Sequence, residues 1–390
     1  MNIPSFNPMF LFCLFASTLI ATVSAEYINW KTFNATGVNL GGWLEQEQAI
    51  DTAWWATYSG GAQNEWELCA NLGSDCGPVL EQRYETYITT EDIDKLAAGG
   101  VNVLRVPTTY AAWVKVPGSQ LYTGNQPAIM KKILDHAIEK YGMHIILDIH
   151  LLPVGVNALG SEEEVFQYGW FFNETAWNYS MQAVDAVLSF IINSGSPESY
   201  TIAPINEPAD NPNVLAFASP AALTEDGAAW LSKYYNAVLA RIAAVDSRIP
   251  LMLEDGFKGE EYWSSKFPNN TNIVFDIHHY YFVNPLATAE NLPTFICSDA
   301  KSSAGDGKFP VFIGEWCIQT LFGNSFSFRK QNVNAGLHAF SKYASGSSYW
   351  TAKYLGNGTV LGEGTQEDYW NFETFIDLDY INPSDGAAYC

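Results

Sequence analysis

Eight short apolar runs recur along this chain, and helical patterns fill the spaces between them. The runs are Gly37–Leu44, Val101–Thr108, His144–His150, Thr201–Asn206, Pro250–Glu254, Ile273–His279, Pro310–Glu315 and Ser347–Thr351. Short apolar runs of this kind read as strands buried on both faces. The stretches Glu91–Ala98, Ala128–Lys140, Ala176–Asn193, Asp226–Val245 and Arg329–Ala344 repeat apolar residues at helical spacing. Strands alternating with helices predict a parallel sheet with crossover helices. Eight such strands within 390 residues favour a single closed (β/α)8 TIM barrel over an open doubly wound sheet. No low-complexity linker or repeat divides residues 26–390, so they read as one domain. No Gly-rich phosphate loop follows a strand, which argues against a nucleotide site. The segment Glu45–Thr86 shows little period but carries Trp54, Trp55, Tyr58 and Trp66. It is expected to be a long functional loop after strand one, lying over the barrel top.

The N-terminus and the cysteines point to export. Met9–Ala21 is an apolar run too short to span a membrane comfortably, and it ends in the small residues Val23-Ser24-Ala25. Residues 1–25 therefore read as a cleavable secretory signal. Five sequons, at Asn34, Asn173, Asn178, Asn269 and Asn357, agree with this. Loss of the signal removes Cys13 and leaves five cysteines, an odd number. Cys69 and Cys76 flank Gly73-Ser74-Asp75 and are expected to close a small loop. The C-terminal Cys390 is expected to tie back to Cys297, which leaves Cys317 as a buried free thiol. Outside the signal no long apolar stretch occurs, so the mature chain is expected to be secreted, off the membrane and monomeric, with the cell wall as one place of action.

A net charge of −23 disfavours nucleic acid and anionic lipid as partners, because their phosphates would be repelled. Aromatic residues make up 15% of the chain, including 13 Trp. Such rings can pack a core or lie flat against the apolar faces of sugars.

The strand ends carry the chemistry, because a barrel of this kind gathers its reactive groups there. In order they present Arg105, His150, Asn206 with Glu207, His278 with Tyr280, Glu315 and Trp350. One polar residue at a strand exit is an ordinary helix cap, but two carboxylates on opposite strands are a reactive pair. Hydrolysis of a glycosidic bond needs one carboxyl protonated, to give its proton to the leaving oxygen, and one ionised, to attack the anomeric carbon. Carboxyls about 5 Å apart would give the retaining reaction. Glu207 is then the acid/base and Glu315 the nucleophile. Arg105 is expected to hold Glu315 ionised and lower its pKa, and that charge to keep Glu207 an acid. Asn206 can bond the sugar 2-hydroxyl, Tyr280 the nucleophile, and Trp350 offers an apolar floor. No metal or cofactor is called for. His278, His279 and Cys317 could suggest a metal site, but successive strand residues face opposite sides, so both His cannot enter one cleft. Glu254-Asp255 after strand five could meet sugar hydroxyls or cap a loop.

Thr201–Pro208, TIAPINEP, and Ile313–Trp316, IGEW, resemble the acid/base and nucleophile strands of glycoside hydrolase family 5. GVNLGGWL at Gly37–Leu44, Arg105-Val-Pro, Asp148-Ile-His150, Asp276-Ile-His278-His279-Tyr280 and Tyr349-Trp350-Thr-Ala-Lys353 resemble its fungal exo-β-1,3-glucanase branch. The resemblance spans nearly the whole mature chain in order. It implies an active-site set of Arg105, His150, Asn206, Glu207, His278, Tyr280, Glu315 and Trp350, with Glu47 at a sugar-binding position. It also implies a β-glucan or other β-glucoside substrate. Departures from the glucanase pattern lie in LLPVGVNAL, Leu151–Leu159, and in Glu45-Gln46-Glu47-Gln48. With TTYAAWVKVPGS at Thr108–Ser119 and GEGTQ at Gly362–Gln366, these are more similar to fungal rutinosidase-type diglycosidases of the same family, which cut a disaccharide from a flavonoid rutinoside. Leu151 and Leu152 could face an aglycone or pack beneath their loop. Both substrates stay open, beside a remoter alternative: an inactive wall-binding barrel.

Overall fold

The structure is a computed structural model that describes Met1, residues 26–157 and residues 169–390. Apart from Met1, the signal expected at residues 1–25, with Cys13, lies outside the described residues, as does the end of the Leu151–Leu159 stretch. Eight parallel strands close in sequence order into a barrel. They are β1 (Ala35–Asn39), β2 (Val103–Thr109), β3 (His144–Leu151), β4 (Tyr200–Ala203), β5 (Leu251–Glu254), β6 (Ile273–His279), β7 (Val311–Trp316) and β8 (Gly346–Tyr349). Three expected strands end early, β8 among them, at Tyr349 rather than Thr351. β1 stops at Asn39 because the chain turns at Gly42, whose φ of 71° suits glycine. β4 stops at Ala203 because Pro204 has no N–H for the ladder.

The excursion after β1 is long, as expected, but it is helical rather than a loop. It forms α1 (Thr52–Tyr58), α2 (Glu65–Leu72) and α3 (Cys76–Thr86). Asp51 caps α1 and Asn64 caps α2, each side chain accepting a backbone N–H at the helix start. Each helix is too short for its apolar period to stand out. A Cys69–Cys76 disulfide joins α2 to α3, and Trp43 Nε1 donates to the Tyr84 carbonyl at 2.7 Å, fixing α3 over the barrel.

The outer ring follows as α4 (Thr90–Ala98), α5 (Gln126–Tyr141), α6 (Glu174–Ile192), α7 (Glu225–Val245), α8 (Glu260–Ser264), α9 (Leu292–Ser303), α10 (Arg329–Tyr343), α11 (Glu367–Trp370) and α12 (Phe372–Asp377). Among the described residues no helix is long and apolar enough to cross a membrane. The C-terminus is tied to α9 by Cys297–Cys390, and Cys317 is a buried free thiol.

Inside the barrel the side chains stack in layers. Val103, Ile146, Ala203, Met252, Val274 and Phe312 pack with Trp30 at the N-terminal end. Above them lie charged and polar groups, among them Asn39, Arg105, Asp148 and Asp276, all essentially inaccessible to solvent. Burying so many charges is tolerable only because they pair with one another.

Candidate active site

Glu315 reaches the cleft through a break in strand register. β6 and β7 pair Ile277 with Ile313 and then His278 with Glu315, so Gly314 is an extra, bulged residue. A Cβ on Gly314 would collide with Asp276 Oδ1, so this position faces inward. Strict alternation would then send Glu315 outward into the helix layer. The bulge re-aims it into the cleft, and Trp316 turns out to pack on Phe340.

Glu207 arrives differently. It follows the Pro204 break, and its φ of 44° places it in the left-handed region that side-chain-bearing residues avoid. Asn157 Nδ2 donates to its carbonyl at 3.1 Å and Pro208 follows directly, so the strained turn is held on both sides.

Arg105 organises the floor from full burial. Its Nη1 donates to Glu315 Oε1 at 2.7 Å and to Asn39 Oδ1 at 3.0 Å. Its Nη2 donates to Asn206 Oδ1 at 2.8 Å and lies 3.1 Å from Asp148 Oδ2. Burial alone would lower its pKa, but Asp148, Glu315 and Asp276 together raise it. Asp148 Oδ2 also sits 2.6 Å from His150 Nδ1, and His150 Nε2 lies 3.1 Å from Asn206 Nδ2. With its Nδ1 proton given to Asp148, His150 accepts at Nε2 and Asn206 has its amide orientation fixed. Trp350 stacks on His150 with centroids 5.7 Å apart.

Tyr280 donates to Glu315 Oε2 at 2.8 Å, and His278 Nδ1 lies 2.9 Å from Glu207 Oε1. Burial pushes the His278 imidazole toward neutrality, but Glu315, Asp276 and Glu207 outweigh it and raise the pKa well above the ordinary value. The Glu315 carboxyl corrects an expectation. Its pKa is raised, because burial outweighs the lowering by His278 and Arg105, and Glu207 adds to the rise.

One oxygen each of Glu207 and Glu315 and one ring nitrogen of His278 lie within 4.8 Å of one another. Such a cluster could gather a cation, but Arg105 and protonated His278 already supply the positive charge. His279 faces the other way, with Nε2 2.7 Å from Ser303 Oγ, as strand alternation predicts.

The structure thus brings together Arg105, His150, Asn206, Glu207, His278, Tyr280, Glu315 and Trp350. Glu47 is half-buried after the Gly42 turn, near enough to Tyr354 that its charge adds to the burial raising that phenol's pKa. Glu254 and Asp255 turn out to be loop caps: Glu254 accepts from Gly256 N–H, and Asp255 from Phe257 and Gly259 N–H. Leu151 and Leu152 are buried in the core. The sequence reading passed over the supporting roles of Asp148 and Asp276, although a charge inside an apolar strand is a visible signal. It also passed over a cavity of ≈ 320 Å³ beside Glu207, walled by Phe217, Phe257, Tyr281 and Phe282.

A closed barrel with paired glutamates at the ends of its fourth and seventh strands defines a glycoside hydrolase of the clan that shares this plan. The chain matches the model of the cellulase family, glycosyl hydrolase family 5, over residues 73–356, and it belongs to that family. Among solved structures, rutinosidase from Aspergillus niger is 56% identical, covers 92% of this chain and 100% of its own, and superposes with a TM-score of 0.90. The structure named AoRut is 61% identical over 92% of this chain and 99% of its own, also at 0.90. A probable glucan 1,3-beta-glucosidase A from Aspergillus niger is 29% identical over 75% of this chain and 67% of its own length. Its Aspergillus fumigatus counterpart is 28% identical over 85% and 76%.

Proposed function

We propose that this chain is a secreted, monomeric retaining β-glycosidase that releases a disaccharide from flavonoid glycosides, after loss of residues 1–25 as a signal. The observation that carries the chemistry is the approach of Glu207 and Glu315, with oxygens within 4.8 Å, the separation that suits a nucleophile rather than an intervening water. Glu315 attacks the anomeric carbon while Glu207 gives its proton to the leaving oxygen. A water deprotonated by Glu207 then hydrolyses the glycosyl-enzyme. Arg105 and Tyr280 each hold one Glu315 oxygen, which favours the attacking anion. His278 takes one Glu207 oxygen and leaves the other for the glycosidic bond. Asn206 reaches the 2-hydroxyl, Trp350 floors the sugar and Glu47 bonds a hydroxyl further from the cleaved bond.

Two observations support the diglycoside. The rutinosidase is 56% identical over nearly the whole chain, and the aromatic cavity beside Glu207 lies on the side of the acid, where an apolar leaving group would rest. Exo-action on β-1,3-glucan keeps its own support in the relatives at 28–29% identity. An inactive wall-binding barrel is disfavoured, since binding alone has no use for both carboxylates.

The test is a side-by-side assay on rutin and laminarin, with a 4-nitrophenyl β-glucoside as a general probe. Intact rutinose from rutin supports the diglycosidase, and glucose from laminarin the glucanase. No product from any of the three sinks the enzyme reading. Glu315→Ala should abolish turnover, and azide should restore it.

A further inference from the structure

Phe172 is a large aromatic residue held out in solvent by a backbone conformation that such residues avoid. It is 56% exposed, and its φ is 60°. The left-handed region is unfavourable for a side chain, and such strain persists only where the surroundings enforce it. The surroundings here are aromatic. The Phe172 ring leans on Trp230 with centroids 5.6 Å apart, and Trp230 packs edge-on against Trp177 at 5.1 Å. Lys233 Nζ lies 4.6 Å above the Trp177 ring and 4.7 Å above Trp230. Phe172, Trp230, Lys233 and Asp226 border one shallow depression, an apolar face with a carboxylate and an ammonium at its edge.

The next residue opens the sequon Asn173-Glu174-Thr175. Asn173 caps α6, its Oδ1 accepting from the Thr175 and Ala176 backbone N–H groups at 3.1 Å each. This turns the carbonyl into the helix end and Nδ2 away from it, and Nδ2 has no hydrogen bond among the described residues. The contrast is Asn34, whose Nδ2 is already given to Ser341 Oγ at 2.6 Å. At Asn173 the cap leaves the nitrogen that N-glycosylation uses free, one residue along the chain from an exposed ring.

We propose that Asn173 carries an N-linked glycan whose first N-acetylglucosamine lies over the Phe172–Trp230 face. In its formation Nδ2 bonds to C1 of the sugar, the donor's lipid pyrophosphate leaves with the electrons of the broken C1–O bond, and one amide proton passes to the transferring enzyme's base. Oδ1 takes no part, so the helix cap survives. The apolar C–H face of the sugar covers the rings, and its hydroxyls and acetamide meet Asp226 and Lys233. Transfer occurs on the unfolded chain, so the rings act on folded stability and leave occupancy unchanged. The inference rests on the export reading above.

The test expresses the full chain in a secreting fungal host and maps its glycopeptides by mass spectrometry. Thermal melts then compare wild type, Thr175→Ala (which removes the sequon and keeps the cap), Phe172→Ala, and the double variant. Asn173 is expected to be occupied. Trimming the glycan to one N-acetylglucosamine should leave Tm unchanged, and Thr175→Ala should lower it by about 2 °C. In the Phe172→Ala background the Thr175→Ala effect should vanish, the coupling expected of two groups in contact. Occupancy elsewhere with Asn173 bare, or a Thr175→Ala loss that is the same with and without Phe172, overturns the proposal. A chain kept in the cell without glycan at any sequon overturns the export reading and this one with it.

Discussion

Arg105 donates to Glu315 at 2.7 Å from a position with no exposure to solvent, and the same guanidinium reaches Asn206 at 2.8 Å. One planar fork therefore sets the direction of the nucleophile and of the amide preceding the acid/base. Lysine would keep the charge but cannot span these acceptors, so Arg105→Lys should lose orientation rather than attraction. Misplacement by about 1 Å costs roughly 10²-fold. We expect kcat/KM on the 4-nitrophenyl substrate to fall by about 10²–10³ while a folded far-UV spectrum is retained. A folded variant within tenfold of wild type would contradict the role given to the fork.

The two glutamates should separate by leaving group and by the azide product. Without the acid, a substrate whose leaving group needs no proton still transfers its sugar to Glu315. Glu207→Ala should therefore lose far more activity on rutin than on a 2,4-dinitrophenyl glycoside, with a gap of at least about 10². Azide attacking the glycosyl-enzyme in this variant gives the β-azide. In Glu315→Ala azide takes the nucleophile's place on the substrate and gives the α-azide. NMR of the product reads the anomer, and the same anomer from both variants would undo the assignment.

Asp276 is one of the three carboxylates that let His278 keep its proton in a buried site. Its Oδ1 lies 3.7 Å from His278 Nε2 and its Oδ2 3.6 Å from Arg105 Nε. Facing His278 are Glu315, Glu207 and Asp276, whose negative charges raise its pKa against burial. Asp276→Asn keeps the shape and removes one of those charges, so the sign is downward. The His278 ring resonance should titrate at a lower pH than in wild type. An unmoved titration would mean that the two glutamates alone set its charge.

The barrel was legible because its strands are unbroken apolar runs and its outer helices keep their period; β6 spans Ile273–His279, as the sequence predicts. The reactive residues were legible because strand ends collect them. What escaped depends on geometry that no residue announces alone. In Glu45–Thr86 three helices of 7, 8 and 11 residues are too short to show a face. Asn64 with Glu67, which Asn64 caps at 2.9 Å, was the available signal. Glu315 would face the wrong way by simple alternation; only the adjacent Gly314 hints at the bulge. The aromatic cavity draws Phe217, Phe257 and Phe282 from three separate loops, and nothing in their spacing links them. The Glu315 pKa was misjudged in sign because burial, not the visible arginine, has the larger effect.

His279 should make the fold sensitive to mild acid. Its ring stacks on Phe340 with an interplanar angle of 15°, and burial, helped by the His278 charge, pushes its pKa down from 6.5 to about 4. Between these values the unfolded chain holds the proton more tightly than the folded one, so stability rises with pH. The full contribution is present above about pH 6.5 and is lost as the pH falls toward 4, by about 2–3 kcal/mol at pH 4.5. His144, pushed down to about 3 by burial, acts in the same direction. A comparison with His279→Gln isolates the single residue. Gln lacks the ring and should cost stability at pH 7, but it does not titrate, so urea unfolding at pH 7 and pH 4.5 should show the gap between the two proteins narrowing by about 2–3 kcal/mol. If the two curves fall in parallel, His279 is not what the acid attacks.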